Sequence, residues 1–431
     1  VANVTTTKEC RVCGYDFLIQ VLSLGNQNIA DFVDSPITKK PVVPLNLMFC
    51  EHCKLVQLGH TTHPDILFSE FWYRSNINEM MKLALQDIVN KSYEKAKLKE
   101  GDLVLDIGCN DGTMLDMFPK TITTVGFDPS NILDTDEARN RMTHAVNTYF
   151  NKIDALKISN HFGKRYKLVT AIAMFYDLDD PAGFLQEIKS VMAEDGLLVI
   201  QMNYLLSMLR NYAVDNVCHE HLTYFSLTSL RWLLNKVGLE VIDIELNEVN
   251  GGSIRVYIKR IPLQKDEVSG DAYERIKNQL DVEKQFQLSK IETYIRFGNE
   301  IKDKLKKLME VITDISIKGN PVYAYGASTR GTVLLQSTQF PLPLAGVAER
   351  DSNKFGKYMV ANWLKIYSEE YVRERCKFML ILPWHFKEAI VIRESEWLNN
   401  GGTLIFPLPK LHMVTKDGET VIENKVAIAT N

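Results

Sequence analysis

The stretch LVLDIGCNDGTMLDMF, residues 103–118, opens as an apolar strand, breaks at a glycine turn and continues as a helix. Asp106 sits inside the strand. Gly108 and Gly112 bracket a turn in which the backbone can fold tightly against a ligand. The next strand, TTVGFD, ends on Asp128, 22 residues beyond Asp106, with Pro129 after it. Together these make a βαβ unit of nucleotide-fold type. The spacing G-C-N-D-G is not the G-x-G-x-x-G of a dinucleotide fold, and Asp106 and Asp111 beside the turn repel a pyrophosphate. They favour a cationic ligand carrying an ammonium and a sulfonium, while Asp128 can accept hydrogen bonds from both ribose hydroxyls. S-adenosylmethionine fits Asp106, Gly108, Cys109, Asn110, Asp111, Gly112, Asp128 and Pro129 better than NAD or FAD. A Rossmann-like core that binds nothing is the remaining alternative.

Outward from this unit the alternation continues. YKLVTAIAMF and GLLVIQMN read as further strands with the helix PAGFLQEIKSVMAED between them, which makes a mostly parallel sheet covered by helices. VIDIELNEVNGGSIRVYIKR reads as a late hairpin. Upstream, residues 70–101 carry apolar residues at helical spacing and stop at Gly101 and Asp102. Downstream, residues 264–318 are charged and mostly helical, and VYAYGAS, LAGVAERD and KFMLILPW predict a second α/β unit over about 320–408. The 431 residues allow two to four domains at roughly 100–200 residues each. Lys+Arg 50 against Asp+Glu 54 argues against a broad nucleic-acid surface. No apolar run reaches membrane-spanning length. The opening VANVTTTKECRVCG shows no signal-peptide pattern, and seven cysteines are too few for a disulfide scaffold; a reducing, cytoplasmic setting is expected.

Four of the cysteines are paired. Cys10 and Cys13 form one C-x-x-C, and Cys50 and Cys53 form a second after 36 intervening residues. Two thiolate pairs on hairpin knuckles are what a structural, tetrahedral Zn²⁺ requires, and Gly14 suits the first knuckle turn. Free thiols, or a redox or iron–sulfur role, are the alternatives.

Three further stretches carry chemistry. CHEHLTY holds His219, Glu220 and His221 on a loop beyond a strand, ahead of a helix that Ser226 can cap. Histidine titrates near neutrality and suits proton removal, and a neighbouring carboxylate can orient it. A core histidine and a second metal site are the other readings. NGGSIR holds Asn250, Gly251, Gly252, Ser253 and Arg255, where glycines permit close backbone approach and the arginine can pair with phosphate or carboxylate. A plain hairpin turn with a surface arginine is the alternative there. YGASTRG sets Tyr325, Gly326, Ser328, Thr329 and Arg330 at a strand-to-helix turn whose amides favour an anion. Glu349 ends the next strand in the place of a ribose-reading acid, and His385 follows ILPW. This turn reads as a site for a nucleotide diphosphate headgroup, or as a structural pseudo-domain.

In this order CRVCG and CEHC, LDIGCNDGTML, CHEHLTYFS, NGGSIR and YGASTRG resemble the motifs of the three-domain sugar C-methyltransferases, S-adenosylmethionine-dependent enzymes acting on nucleotide-linked deoxyketosugars. The resemblance spans essentially the whole chain. It implies an α/β architecture: a zinc-binding module at 1–70, a central class I methyltransferase Rossmann-like domain at 71–262, and a helical linker with a second Rossmann-like domain at 263–431 that helps hold the nucleotide sugar. It implies structural zinc on Cys10, Cys13, Cys50 and Cys53, and a Glu–His pair on Glu220 and His221. Two positions depart from the family: Cys218 stands where members tend to have tyrosine, and Tyr176 where they tend to have histidine. The implied chemistry is deprotonation beside a ketone by His221, oriented by Glu220, with Tyr176 or His219 stabilising the enolate before methyl transfer. An O-methyltransferase on a sugar hydroxyl, and a zinc-containing binding module with a relict cofactor site, are the rival functions. The expected partner is a nucleotide-linked ketosugar, with no nucleic acid and no membrane, and the chain is expected to be a monomer or homodimer.

Overall fold

A computed structural model describes residues 4–38, 41–68, 79–263 and 267–422. Strand Leu103–Ile107 is buried along its whole length, as an inner strand covered on both faces must be. It lies in a seven-stranded sheet whose order is Leu239–Asn247, Ser253–Arg260, Met192–Asn203, Tyr166–Ile172, Leu103–Ile107, Thr123–Phe127, His144–Val146. The last five strands run parallel, and the expected hairpin adds its two strands antiparallel at one edge. The chain builds outward from Leu103–Ile107 in one direction and then returns to lay Tyr166–Ile172 on the other side. The carboxyl ends of these two strands therefore flank the switch point where such sheets hold ligands.

The helix expected over 70–101 is present as Glu79–Ala96 against this sheet; residues 69–78, with the expected boundary at 70, lie outside the described residues. Helix Leu227–Lys236 opens on Ser226, whose Oγ accepts from the Ser229 amide at 3.1 Å while Ser229 Oγ accepts from the Ser226 amide at 3.1 Å, a reciprocal capping box.

The second sheet repeats the pattern. Its parallel core is Thr403–Phe406, Phe378–Ile381, Val322–Tyr325, Leu344–Glu349 and Leu364–Ser368, with antiparallel additions at both edges. Helix Ile291–Ile317, 27 residues long, buries Tyr294, Phe297, Ile301, Leu305, Leu308, Ile312 and Ile315, a stripe at spacings of three and four. That stripe packs against Leu18–Asn28 of the N-terminal module and Val322–Tyr325 of the second sheet.

The N-terminal module is an antiparallel sheet of Leu18–Asn28, Val42–Cys50 and Val56–Leu58, and it trades strands with both α/β units. Its fourth strand is Thr223–Tyr224 from the central domain, paired to Gln57 and Val56. Its own Phe32–Val33 pairs with Met359 and Tyr358 at the edge of the second sheet. No helix among the described residues is long and apolar enough to cross a membrane.

Candidate functional site

The two C-x-x-C knuckles fold alike. The Gly14 amide donates to Cys10 O at 2.8 Å and the Lys54 amide to Cys50 O at 2.9 Å, with left-handed backbone at Gly14 and Lys54. Cys10 Sγ lies 3.4 Å from Cys53 Sγ, and Cys13 Sγ 3.6 Å from Cys50 Sγ. The four sulfurs lie within 4.8 Å of one another. Sulfurs about 2.3 Å from a tetrahedral zinc stand about 3.8 Å apart, so this set fits Zn²⁺ and, with four thiolates, leaves no open position.

The glycine turn, the histidine loop and the second unit's turn line one cleft of about 1270 Å³. On the central domain, Asp128 braces the turn: its carboxylate accepts from the Asn110 amide at 2.8 Å, the Ser130 amide at 2.9 Å and Ser130 Oγ at 2.5 Å. Asp106 accepts from Thr170 Oγ1 at 2.7 Å, and burial pushes its carboxyl up to about 7. Gly108, Cys109, Asn110 and Pro129 line the cleft beside them.

The second unit builds a parallel arrangement. Glu349 accepts from the Ala327 amide at 2.7 Å, the Arg350 amide at 2.8 Å and the Asp351 amide at 3.0 Å. Ser328 caps helix Thr329–Gln336 by accepting from the Gly331 amide at 3.1 Å. Gly326, Thr329, Asn250, Ser253 and His385 also line the cleft. Tyr325 lines it too, but its hydroxyl donates to Glu394 at 3.0 Å. His385 is held neutral by burial, and its Nδ1 has no partner among the described residues.

His221 Nδ1 lies 2.9 Å from the Asn216 carbonyl. A carbonyl only accepts, so Nδ1 carries the proton and Nε2 keeps its lone pair. Burial lowers the imidazole to about 4, and Arg330 contributes in the same direction. His221 is therefore oriented by Asn216, not by Glu220 as expected from the pair. Glu220 lines the same cleft, its carboxyl raised by burial and hydrogen bonded to Cys218. The Tyr176 ring stands 4.4 Å from the His221 ring, and burial keeps its phenol protonated.

Six of the residues expected around this cleft do not line it, Gly251 at φ 87 among them. Asp111 accepts from Thr113 Oγ1 at 2.7 Å and pairs with Arg141 at 3.1 Å beneath the turn. Gly112, at φ 76, starts helix Thr113–Asp116 against Met142, a left-handed position that favours glycine. Gly252, at φ 116, sits against Ser207. His219 turns away, its Nε2 3.2 Å from the carbonyl of Val43 in the N-terminal module. Arg255, 2% exposed, is held by Gln201 at 2.9 Å, Asp87 at 2.9 Å and Glu245 at 3.3 Å, so its charge does not reach an incoming anion.

Three positions in or next to the cleft lining carry no expectation from the sequence. Asp177 lines the cleft beside Tyr176 with one carboxylate oxygen unpartnered among the described residues; burial and then Glu220 hold it well above the usual carboxylate range. The acid-rich run MFYDLDDP was its one signal. Asp215 and Trp384 meet through a 3.1 Å indole hydrogen bond across 169 residues, which no local pattern announces.

His219, like His221, is lowered by burial to about 4 from the ordinary 6.5. Between those values the unfolded chain binds a proton that the folded one refuses, so the stability tied to His219 is present above pH 6.5 and lost as the pH falls towards 4. The raised carboxyls of Asp106, Asp177 and Glu220 run the other way, so the effect is isolated by difference. The Tm deficit of His219→Gln relative to wild type is expected to shrink steadily from pH 7 to 4.5. A deficit independent of pH contradicts the assignment.

Three family models tile the chain: a zinc binding domain over residues 10–68, a methyltransferase domain over 77–244 and a C-methyltransferase C-terminal domain over 248–409. The chain is 28% identical over 415 residues to the C-methyltransferase NovU of Streptomyces niveus, covering 95% of this chain and 97% of that protein. Among solved structures it matches an S-adenosylmethionine-dependent methyltransferase from Clostridium acetobutylicum (13% identity, 43% of this chain and 93% of that one, TM-score 0.32). It also matches the N-methyltransferase NodS from Bradyrhizobium japonicum (12% identity, 43% and 98%, TM-score 0.31).

Proposed function

We propose, for a chain that belongs to the S-adenosylmethionine-dependent C-methyltransferases and carries an N-terminal zinc module, that the acceptor is a carbon beside the keto group of a nucleotide-linked deoxyketosugar. The observation that carries this reading is the single cleft lined by both braced turns, Asp128 on one unit and Glu349 on the other, together with His221. Two nucleoside-type sites opening on one base suit a reaction between two nucleoside-bearing substrates. The cytosol, where none of the seven cysteines is driven into a disulfide, is the setting this reading takes.

When bound, S-adenosylmethionine supplies a methyl group already activated on a sulfonium. Asp106, Gly108, Cys109, Asn110, Asp128 and Pro129 would hold it, and the raised Asp106 carboxyl regains its charge beside a cation. A C–H beside a ketone is acidic because its anion spreads onto oxygen. His221 Nε2 takes that proton, and the Asn216 carbonyl holds the ring in the required tautomer. Tyr176, protonated and packed on the base, is a neutral donor within the same cleft. Ser328, Thr329 and Glu349 line the part of the cleft that would take the nucleotide headgroup.

The test is product analysis with a panel of nucleotide 4-ketosugars and S-adenosylmethionine. The expected product gives an NMR methyl signal on a branched sugar carbon, with loss of the proton alpha to the ketone. A methoxy signal, or methylation of no ketosugar, overturns the reading.

A further inference from the structure

Among the described residues of the central domain that line the cleft, none is a lysine or arginine that could meet the enolate oxygen: His219 faces Val43, and Tyr176 is a neutral phenol. The second α/β unit supplies one. Arg330, in the first turn of helix Thr329–Gln336, lines the same cleft as His221, Tyr176 and His385. Its guanidinium is fixed from three sides. Nε donates to Asp215 Oδ2 at 2.8 Å, with Nη2 2.7 Å from that same oxygen. Nη1 donates to the Asn250 carbonyl at 2.7 Å. The Trp384 ring lies 5.9 Å away, and its indole N–H shares the Asp215 carboxylate.

These bonds engage Nε and Nη1 of a group with five N–H donors, and Nη2 finds no hydrogen-bond acceptor of proper angle among the described residues. A cation so mounted cannot swing away, and it still has donors to give. Its charge opposes protonation of His221 and His385 and favours ionisation of Tyr176, three groups of the same cleft.

We infer that Arg330 is a catalytic residue of the transfer, donating to the oxygen of the enolate that His221 creates. The inference rests on the C-methylation reading above. In the step, the His221 Nε2 lone pair takes the alpha proton, the C–H pair becomes the new C=C bond, and the carbonyl π pair moves onto oxygen against the guanidinium. Attack by the alpha carbon on the methyl group then returns the pair from oxygen and leaves the donor as a neutral thioether. The imidazolium gives its proton to solvent. A fixed donor at the site of developing charge needs no reorganisation, which is where such groups act most strongly.

The experiment compares wild type, R330Q and D215N in full-length enzyme. Steady-state kinetics, washout of alpha deuterium from the ketosugar into water, and S-adenosylhomocysteine affinity are measured. R330Q is expected to lower kcat and washout together by about 10²–10³-fold, with S-adenosylhomocysteine affinity kept. D215N, which loosens the mount but leaves the guanidinium, should lose less than about tenfold. If R330Q fails to bind S-adenosylhomocysteine, R330K takes its place and is expected to lose at least about tenfold in kcat, because an ammonium lacks the planar fork. R330Q within about threefold of wild type, D215N as damaging as R330Q, or a fully active R330K in the unfolded case reduces Arg330 to a clamp and overturns the inference. A wild-type enzyme that makes a methoxy product instead overturns the C-methylation reading itself, which separates the two failures.

Discussion

His221→Asn is expected to lower kcat by about two to four orders of magnitude, with S-adenosylhomocysteine affinity within about twofold of wild type. The asparagine amide can still donate to the Asn216 carbonyl, which now takes the His221 Nδ1 proton at 2.9 Å, so the loop keeps its anchor. What disappears is the lone pair at Nε2. Because burial holds the imidazole at about 4, the wild-type base stays neutral and ready across pH 5–8, and the acid limb of kcat/KM should show no histidine near 6.5. Alpha-deuterium washout should fall with kcat, since both need the same proton removed. An H221N enzyme that still exchanges the alpha proton at the wild-type rate removes His221 from the role of base.

Stripping the zinc, or replacing Cys50 by Ser, should cost at least as much, and for a different reason. Structural zinc contributes about 10–16 kcal/mol to folding of small domains, against about 5–15 kcal/mol for the net stability of a whole protein. Here the consequence runs straight to the loop that carries His221. The Leu58 amide donates to Leu222 O at 2.9 Å, Gln57 and Val56 pair with Thr223 and Tyr224, and His219 is tied to Val43. His221 sits between those attachments. Chelation is expected to abolish turnover and lower the unfolding midpoint, and restored zinc should restore both. Because the site is closed, Co²⁺ should restore kcat to near the zinc value. Full turnover in metal-free enzyme, or a kcat set by which metal is bound, contradicts a purely structural site.

Much of this was legible from residue patterns, because the features concerned are local. The strand–turn–helix at 103–118, both C-x-x-C knuckles, the hairpin around NGGSIR and the Ser226 cap are each written within a few consecutive residues. Direction was not legible. His219 and His221 share one short loop, yet one meets Val43 and the other lines the cleft, and no spacing rule decides between them on an irregular loop. Arg255 was misread for a related reason. Ser253 pairs with Asn203 near the strand end and lines the cleft, while Arg255, opposite Gln201, sits two residues deeper in the ladder, bonded to Asp87 of helix Glu79–Ala96. The strand trades escaped because Phe32–Val33 and Thr223–Tyr224 are two residues each, too short for any alternation to register. Asp215 became meaningful only when folding carried it to Arg330, 115 residues away in sequence.

The strand trades also bear on how such enzymes can be recombined. A chimaera that takes its second α/β unit from a relative would leave Phe32–Val33 facing a foreign edge where Tyr358–Met359 now stands. A crossover placed between the two α/β units therefore cuts through one continuous sheet. Exchanging the middle alone cuts the other trade instead, because Thr223–Tyr224 completes the N-terminal sheet against Gln57 and Val56, so a transplant of either α/β unit must carry edge residues matched to the N-terminal module.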